Sequence, residues 1–343
     1  MPTAAVALSG GVDSATTALL LKERGYRVFT LTMATNDRVT EEAARVAAFL
    51  NVPHRVIDVH DLFETRVIGP FCAAYLRGNT PNPCITCNRD LKYGALFRHA
   101  LSLGADYFAT GHYARVRFDP EHRRYVLLRG RDPRKDQSYV LFYLDQERLS
   151  RLLLPLGEFS KEQVRRRARA AGIPFAATES QEICFVPGDD YRRFIRTRCG
   201  ERIKEGPVLD SRGNVLGRHK GIPFYTIGQR RGLGLALGKP VFVVGFDRER
   251  NAVIVGPEEQ LWRTGLRAVE VHYILDRPGD VIPVAVQIRY RTRAAPALLY
   301  PETADTARIT FEKPQRAVTP GQAAVFYRDE YVLGGGIITD TRD

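Results

Sequence analysis

The chain is short of cysteine, of long apolar runs and of low-complexity segments, and each shortage excludes a class of protein. Its five cysteines are odd in number and few for 343 residues, which argues against a secreted disulfide framework. No stretch reaches the roughly 18 apolar residues that a membrane span needs. The start, MPTAAVALSGG, also lacks the basic and apolar regions of a signal peptide. We therefore expect a cytoplasmic protein with no membrane partner.

What the chain has in excess is positive charge. Lysine and arginine number 51 against 39 aspartates and glutamates, so the net charge is +12 and the isoelectric point lies near 9.6. Such a chain attracts a polyanion at long range and holds it by counterion release. The excess favours a nucleic-acid partner, although similar basicity also occurs in proteins that never bind RNA.

The first part of the chain alternates strands with helices. An apolar run, a helix and a second apolar run within residues 4–33 form a βαβ unit. Thr40 is predicted to cap the next helix, and Ser160 with Gln163 forms a capping box for a later one. The alternation predicts a doubly wound parallel sheet in an α/β domain over residues 1–187.

The pattern changes past Pro187. Short runs rich in β-forming residues alternate with Gly, Pro and Asp-Arg turns, and helical periodicity is almost absent. A chain of this length is expected to fold as two or three domains, because a single core rarely grows so large. We predict a small β-rich central domain over 188–262 and a C-terminal β-barrel-like domain over 263–343.

The strongest local motif is Ser-Gly-Gly-Val-Asp-Ser at residues 9–14, between the first strand and the first helix. Adjacent glycines let the backbone approach a ligand, and the amides of a helix N-terminus form an anion site. The hydroxyls of Ser9 and Ser14 add donors for phosphate, and Asp13 is suited to a Mg²⁺ shell. The G-x-x-x-x-G-K-S/T pattern of kinase-type phosphate loops is absent, so the motif indicates another kind of nucleotide loop.

A second motif presents two cysteines just before a helix. The turn-rich segment over 81–88 contains Cys84 and Cys87. Because a helix N-terminus stabilises a thiolate, we expect the pKa values of these thiols to be lowered. The C-x-x-C spacing alone leaves a redox pair, half a zinc site, an iron–sulfur ligand set and coincidence open. Cys184 is a third candidate, distant in sequence, which the fold could bring near.

Several other positions have weaker signals. His112 follows a short apolar strand and is therefore expected at the edge of a parallel sheet where ligands bind. The run over 135–137 lies beyond a predicted hairpin and by itself fits an ordinary solvated loop. An arginine-rich helix around 165–169 fits RNA contact as well as a solvated face. Cys72 and Cys199 lie in no motif and are expected to be structural.

Taken in order, the motifs SGGVDS, TPNPCITCN, ATGHYA, KDQSY, ICF, TIGQRRGLG and TPGQAAVFY resemble those of the bacterial tRNA 2-thiouridylases of the MnmA type. These enzymes are PP-loop ATP pyrophosphatases, and the match runs nearly end to end. GMP, NAD and argininosuccinate synthetases share only the first motif. The resemblance implies an enzyme that adenylates the C2 oxygen of the wobble uridine with ATP. Sulfur from a cysteine persulfide then replaces the adenylate, and AMP and pyrophosphate are released.

The resemblance also assigns residues, cofactors and partners. The implied ATP contacts are Ala7, Leu8, Ser9, Gly10, Gly11, Val12, Asp13, Ser14, Met33 and Gly111. The segment that touches the target base matches Asn82, Pro83 and Cys84. The implied tRNA contacts are His112, Lys135, Asp136, Gln137, Arg289, Tyr290 and Gln322. Cys184 matches the persulfide carrier, and Cys87 matches the cysteine that attacks it. ATP and Mg²⁺ are the implied cofactors, and the implied partners are the anticodon stem-loop of tRNA, bound by the C-terminal domain, and a sulfur-donor protein or sulfide.

Two departures from the family pattern bear on the chemistry. The segment after Met33 is short where a typical member has a cysteine-containing insertion, and Cys84 stands where many relatives have Asp. With Cys84, Cys87 and Cys184 as thiolates, a [4Fe–4S] cluster with one open iron for sulfide is an alternative to the persulfide route. The alternatives from other classes are a small-molecule PP-loop ligase and a non-catalytic RNA-binding module.

Overall fold

The structure is a computed structural model that describes residues 1–35, 37–175 and 183–342. The strands of its first domain are β1 (Thr3–Ala7), β2 (Arg27–Ala34), β3 (His54–Asp58), β4 (Tyr107–Ala109), β5 (Ala114–Asp119), β6 (Arg124–Arg129) and β7 (Leu152–Leu153). Five of them form one parallel sheet in the order β3-β2-β1-β4-β7. This order confirms the predicted doubly wound α/β domain.

The helices of this domain follow or precede those strands. They are α1 (Val12–Glu23), α2 (Asp37–Phe49), α3 (His60–Phe63), α4 (Gly69–Leu76), α5 (Pro83–Thr86), α6 (Phe97–Ser102), α7 (Gln146–Ser150) and α8 (Lys161–Ala170). Two π-helical segments, Glu64–Ile68 and Cys87–Leu96, join α3 to α4 and α5 to α6. In the described part of the chain, no helix is long and apolar enough to cross a lipid bilayer.

Both faces of the parallel sheet are covered, as a sheet that is apolar throughout requires. Successive side chains of β1 point to opposite faces, so they enter two different cores. Ala5 packs with Phe108 in one core, whereas Ala4 and Val6 pack with Leu21 of α1 in the other. The carboxyl ends of the strands therefore open on an edge that is free for a ligand.

Two predicted helix starts have different outcomes. The capping box is confirmed, because Gln163 N donates to Ser160 Oγ at 3.3 Å and Ser160 N donates to Gln163 Oε1 at 2.8 Å. The prediction that Thr40 caps α2 is wrong. The helix already begins at Asp37, and the Thr40 hydroxyl donates to the Asp37 carbonyl within the first turn at 2.7 Å.

The central domain contains a helix that the sequence pattern did not predict, α9 (Tyr191–Cys199). Asp190 caps it by accepting a hydrogen bond from Arg193 N at 3.0 Å. Its strands are β8 (Gly206–Asp210), β9 (Val215–His219), β10 (Phe242–Asp247) and β11 (Ala252–Gly256), in the sheet order β10-β11-β8-β9. The predicted β-rich unit is present, but it is preceded by this arginine-rich helix.

The C-terminal domain is a closed antiparallel barrel, as predicted. Its strands are β12 (Trp262–Tyr273), β13 (Ile282–Gln287), β14 (Ala295–Pro301), β15 (Ala307–Arg316), β16 (Ala323–Arg328) and β17 (Tyr331–Arg342). They are ordered β12-β15-β14-β13-β16-β17, and pairing of β12 with β17 closes the ring. The inward side chains form one apolar core that includes Leu266, Val286 and Phe326.

The barrel is joined to the first domain through the β5–β6 hairpin, which extends the barrel sheet beyond β17. Leu128 pairs with Tyr331, and Arg129 N donates to the Glu330 carbonyl at 2.9 Å. The Arg129 guanidinium also stacks 3.5 Å from the ring centroid of Tyr327. The barrel consequently lies against the first domain near the carboxyl edge of the parallel sheet.

Candidate functional site

Two adjoining cavities open at the carboxyl edge of the parallel sheet. One, of about 550 Å³, is bounded on one side by barrel residues and is called the barrel-side cavity. The other, of about 380 Å³, reaches the ends of β1 and β2 and is called the sheet-side cavity. Ser9, Asp13, Cys84, Lys92 and His112 line both cavities. The two cavities therefore adjoin across shared side chains.

The loop over residues 9–14 connects β1 to α1 at the floor of this site. Gly10 has φ +77°, and a Cβ there would lie 2.5 Å from the Glu42 Cβ, so the turn requires glycine. Gly11 is the N-cap of α1 and has no side chain to occupy the first-turn amides. The Ser14 hydroxyl accepts from Ser9 N at 3.1 Å and donates to the Gly11 carbonyl at 3.1 Å. The loop thus leaves the first-turn amides of α1 as donors for an anion, while the Ser9 and Ser14 side chains hold its shape.

Asp13 has partners that sequence reasoning missed. Lys161, the first residue of α8, places Nζ 2.7 and 2.6 Å from the two Asp13 carboxylate oxygens. The Tyr113 hydroxyl donates to Asp13 Oδ1 at 2.8 Å. The Lys161 side chain is only 13% exposed, so Asp13 pairs with a nearly buried cation. No local signal links two residues 148 positions apart.

The remaining predicted ATP positions lie around the same loop. Ala7, Leu8, Met33 and Gly111 line the sheet-side cavity, and Gly11 and Val12 line the barrel-side cavity. A Cβ at Gly111 would lie 2.9 Å from the Asp13 carbonyl carbon, so glycine is needed where the loop after β4 meets α1. Gly10 lines neither cavity and shapes the turn instead.

The three candidate cysteines meet in the sheet-side cavity. Cys84 follows the N-cap Asn82, whose Oδ1 accepts from Cys84 N at 3.1 Å. Cys87 begins the π-helical segment and is buried, whereas Cys184 is exposed at the cavity. Asn82, Pro83 and Cys84 also line the barrel-side cavity. The structure therefore brings the predicted base-contact segment and the predicted sulfur-transfer pair together.

The expected lowering of the thiol pKa values is wrong. Burial raises the pKa of Cys87 to about 11, and the nearby Lys92 ammonium only partly opposes that shift. Burial also raises the pKa of Cys84, again against the effect of Lys92. The helix dipole lowers a thiol pKa, but the loss of water around a buried thiolate raises it, and desolvation is the larger effect here.

His112 is held by two hydroxyls beneath the cavities. Its Nδ1 lies 2.9 Å from the Tyr93 hydroxyl and 2.8 Å from the Thr110 hydroxyl. Burial, and next the Lys92 ammonium, hold the pKa of His112 well below its usual range. The imidazole is therefore neutral at physiological pH and serves as a hydrogen-bonding group.

The segment Lys135-Asp136-Gln137 divides between structure and site. Asp136 accepts hydrogen bonds from Gly130 N and Ser138 N and an ion-pair contact from Arg129, so its carboxylate stabilises the turn. Lys135 and Gln137 line the barrel-side cavity. Asp136 thus affects the site indirectly, because it holds the backbone of the turn that carries Lys135 and Gln137.

The barrel contributes Tyr290 and Gln322 to the barrel-side cavity. Gln322 Nε2 donates to the Thr80 carbonyl at 2.6 Å, which fixes the barrel against the segment before Asn82. Arg289 lies outside the cavity lining, and its guanidinium donates to the Ala317 carbonyl and, at 2.7 Å, to the Thr319 hydroxyl. Its neighbour Arg291, which sequence reasoning missed, lines the cavity.

The basic helix and the remaining cysteines lie beside the site. Arg165, Arg166 and Arg169 of α8 line a groove of about 600 Å³ that shares Lys135 and Lys161 with the barrel-side cavity. This placement extends the positive lining outward along α8. Cys72 and Cys199 are both buried in one apolar cluster outside the two cavities, as expected for structural residues.

Comparison with known proteins specifies the family. The model of the tRNA methyl transferase HUP domain matches residues 2–188, that of the tRNA methyl transferase PRC-barrel domain matches 192–257, and that of the aminomethyltransferase beta-barrel domain matches 263–338. These three matches define a nucleotide-binding α/β domain followed by two β-barrel-type domains.

The curated relatives agree over the whole chain. The tRNA-specific 2-thiouridylase MnmA of Desulforudis audaxviator is 75% identical over 339 residues, covering 99% of each chain. The MnmA of Moorella thermoacetica is 53% identical over 97% of this chain and 98% of its own, and that of Carboxydothermus hydrogenoformans is 49% identical over 97% and 96%. The chain belongs to the MnmA family of tRNA-specific 2-thiouridylases. The predicted family and the predicted class, an ATP-dependent tRNA-thiolating enzyme, are confirmed.

Proposed function

We propose that the chain thiolates C2 of the wobble uridine in tRNA, with ATP activating the C2 oxygen and a cysteine persulfide delivering sulfur. The observation that carries this proposal is the wall shared by the two cavities. Residues of the loop over 9–14, the segment Asn82–Cys84 and the thiols of Cys87 and Cys184 line one or both of these adjoining cavities. Nucleotide, base and sulfur are expected to meet there.

ATP is needed because the C2 oxygen leaves a uridine ring poorly as hydroxide and well as part of AMP. The loop amides and the N-terminus of α1 are suited to stabilise charge on the phosphates. We expect the Lys161 ammonium to move from Asp13 to a phosphate oxygen when ATP is bound. Asp13 offers the hard carboxylate oxygens that Mg²⁺ prefers, and the ion, when bound, would neutralise phosphate charge.

The sulfur step is a substitution followed by thiol–disulfide exchange. The terminal sulfur of a Cys184 persulfide attacks C2, a C–S bond forms, and the C–O bond to AMP breaks with its electron pair on AMP. The Cys87 thiol then loses its proton to solvent, and the resulting thiolate attacks Cys184 Sγ. A Cys87–Cys184 disulfide forms, while the S–S bond to the tRNA breaks with its electron pair on the tRNA sulfur and releases 2-thiouridine. A thiol reductant returns the disulfide to two thiols, and a sulfur-donor protein reloads Cys184.

The same cysteines support a second sulfur source. Cys84, Cys87 and Cys184 line the sheet-side cavity together. Three thiolates are the donor set of a [4Fe–4S] cluster with one open iron, which would supply a bound sulfide. Iron and acid-labile sulfide analysis after anaerobic purification distinguishes this source from the persulfide.

The tRNA is expected to approach from the barrel. Tyr290 and Gln322 form one wall of the barrel-side cavity, and Arg291 and Lys135 add positive charge there. Extruding a base costs little in an anticodon loop, because its bases are not in a duplex. The barrel-side cavity is therefore the proposed entry for the target uridine.

Pyrophosphate release with and without unmodified tRNA tests the proposal. Release that depends on tRNA and accompanies 2-thiouridine supports it. Release without tRNA would indicate a small-molecule ligase, and tRNA binding without release would indicate an RNA-binding module. Cys87→Ser and Cys184→Ser should keep the release and lose thiolation, whereas Cys199→Ser, outside both cavities, is the matched control.

A further inference from the structure

Lys92 occupies a position in the site that the scheme above does not use. It lines both cavities, and in the sheet-side cavity it shares the lining with Cys84, Cys87 and Cys184. Its side chain is half-buried. Within residues 1–35, 37–175 and 183–342, its ammonium has no hydrogen bond or ion pair with another protein group. The charge is thus available to a ligand of the cavity.

The π-helical segment explains how Lys92 reaches the cysteines. Lys92 follows Cys87 by five residues, and both lie in the segment Cys87–Leu96. In an α-helix a five-residue step ends about 140° around the axis from its start, so the two side chains would point apart. The i→i+5 hydrogen bonding of a π-helix brings the same step close to one full turn. The change of helix type therefore places Lys92 on the cysteine side.

The cavity has few other cations for a charged sulfur. Among the described residues that line the sheet-side cavity, Lys92 is the only one that is a lysine or an arginine. Lys161 lines the barrel-side cavity and is paired with Asp13, while Lys135 and Arg291 line the barrel-side cavity and not the sheet-side cavity. Thiolate, persulfide and hydrosulfide are all anions, and an anion leaves water for a buried site only at a large cost unless it is paired. Lys92 is placed to provide that pairing.

We propose that Lys92 binds the anionic sulfur during transfer and is a catalytic residue of the thiolation step. This inference rests on the proposed function. Its ammonium holds the terminal persulfide sulfur, or a hydrosulfide ion, beside C2 of the adenylated uridine. When hydrosulfide is the donor, a C–S bond forms, the C–O bond to AMP breaks with its electron pair on AMP, and the S–H proton passes to solvent. Lys92 keeps its own protons and gains or loses no electrons.

The test separates adenylation from sulfur transfer in the full-length protein. Lys92→Met is compared with Lys92→Arg, and Lys239→Met, at an exposed lysine, is the matched control. Sodium sulfide is the donor, and pyrophosphate release and 2-thiouridine are measured in the same reactions. We expect Lys92→Met to keep pyrophosphate release within about threefold of wild type. Its thiolation should fall on the order of 10- to 100-fold, with a raised KM for sulfide. Lys92→Arg should restore part of the loss.

Other outcomes overturn the inference. If Lys92→Met loses pyrophosphate release as fully as thiolation, Lys92 serves ATP or the fold. If it thiolates at the wild-type rate and with the wild-type KM for sulfide, Lys92 has no part in the reaction. Failure of the proposed function itself has a different signature, because wild type would then form no 2-thiouridine or would release pyrophosphate without tRNA. That result would remove the role of Lys92 as well.

Discussion

The ion pair of Asp13 and Lys161 allows a stability effect and a nucleotide effect to be measured separately. The Lys161 side chain is 13% exposed and that of Asp13 is 33% exposed. Asp13→Ala therefore leaves a nearly buried ammonium without its counter-charge. Breaking a fully buried pair costs about 3–5 kcal/mol, and partial exposure reduces this to roughly 1–3 kcal/mol. Lys161→Met leaves the more exposed carboxylate, which keeps the Tyr113 hydroxyl, so we expect a loss below about 1 kcal/mol.

These free energies translate into melting temperatures. A change of 1 kcal/mol shifts Tm by about 2–4 °C for a domain of this size, so Asp13→Ala should lower Tm by roughly 2–12 °C. The effect on the KM for ATP has a different physical cause. Lys161→Met should raise the KM for ATP about 10- to 100-fold, because a charge-assisted hydrogen bond to phosphate is lost. Both variants should bind tRNA nearly as well as wild type, because both residues are assigned to ATP.

Thermal scans and tRNA-dependent pyrophosphate release measure both quantities, with Arg167→Met as the matched control. Arg167 lies on the same helix, and its ion pair with Glu23, at 3.4 Å, is about half exposed on both sides. Its replacement should cost less than about 1 kcal/mol and leave the KM for ATP unchanged. An unchanged KM for ATP in Lys161→Met, or a larger drop in Tm than for Asp13→Ala, would refute the reasoning.

Three further predictions concern protonation, sulfur source and RNA contact. Because burial and then Lys92 lower the pKa of His112, nuclear magnetic resonance should show a neutral imidazole from about pH 6 to 8. Stability should fall as pH drops below about 6.5, where the unfolded chain takes up a proton that folded His112 does not; a full-height titration near 6.5 would contradict this. If a cluster is the sulfur source, Cys84→Asp should lose iron and activity together, whereas retained thiolation without iron would leave the persulfide route. Arg291→Ala should lower the slope of log K against log[salt] for tRNA binding by about one unit. Arg289→Ala should lower that slope less, because its guanidinium is bound to the barrel. Equal slopes for the two variants would contradict the assignment.

Local chemistry explains which parts of the fold were predictable. Residues 9–14 form their loop because Gly10 and Gly11 set the turn themselves, and Ser160 and Gln163 cap α8 within four positions. Helix α9 was missed because its surface is arginine-rich, although the cap Asp190 and the apolar spacing of Ile195 and Cys199 were present as signals. Loops and helix ends that depend on neighbouring residues can be predicted from sequence when the short-range pattern is followed closely.

The rest depends on contacts between distant parts of the chain. Nothing near Asp13 indicates that Lys161 pairs with it, and nothing in β5 and β6 indicates that their hairpin joins the barrel sheet. The sign of the thiol pKa shifts was also beyond local reasoning. The dipole at a helix start is a local property, but the desolvation that raises the pKa of Cys87 to about 11 depends on everything packed around it.

The distribution of charge between the two cavities bears on the order of events. Lys135, Lys161, Arg165 and Arg291 all line the barrel-side cavity, and among described residues only Lys92 brings a lysine or arginine charge to the sheet-side lining. In the proposed mechanism a triphosphate is drawn toward the cation-rich barrel-side cavity, where Lys135, Lys161, Arg165 and Arg291 offer it charges other than the one that we assign to sulfur. In that mechanism AMP leaves as an anion when the C–S bond forms and is attracted to the same cation-rich side. In the proposed mechanism the leaving group and the nucleophile are stabilised by different cations, which favours the substitution at C2 in the direction of thiolation.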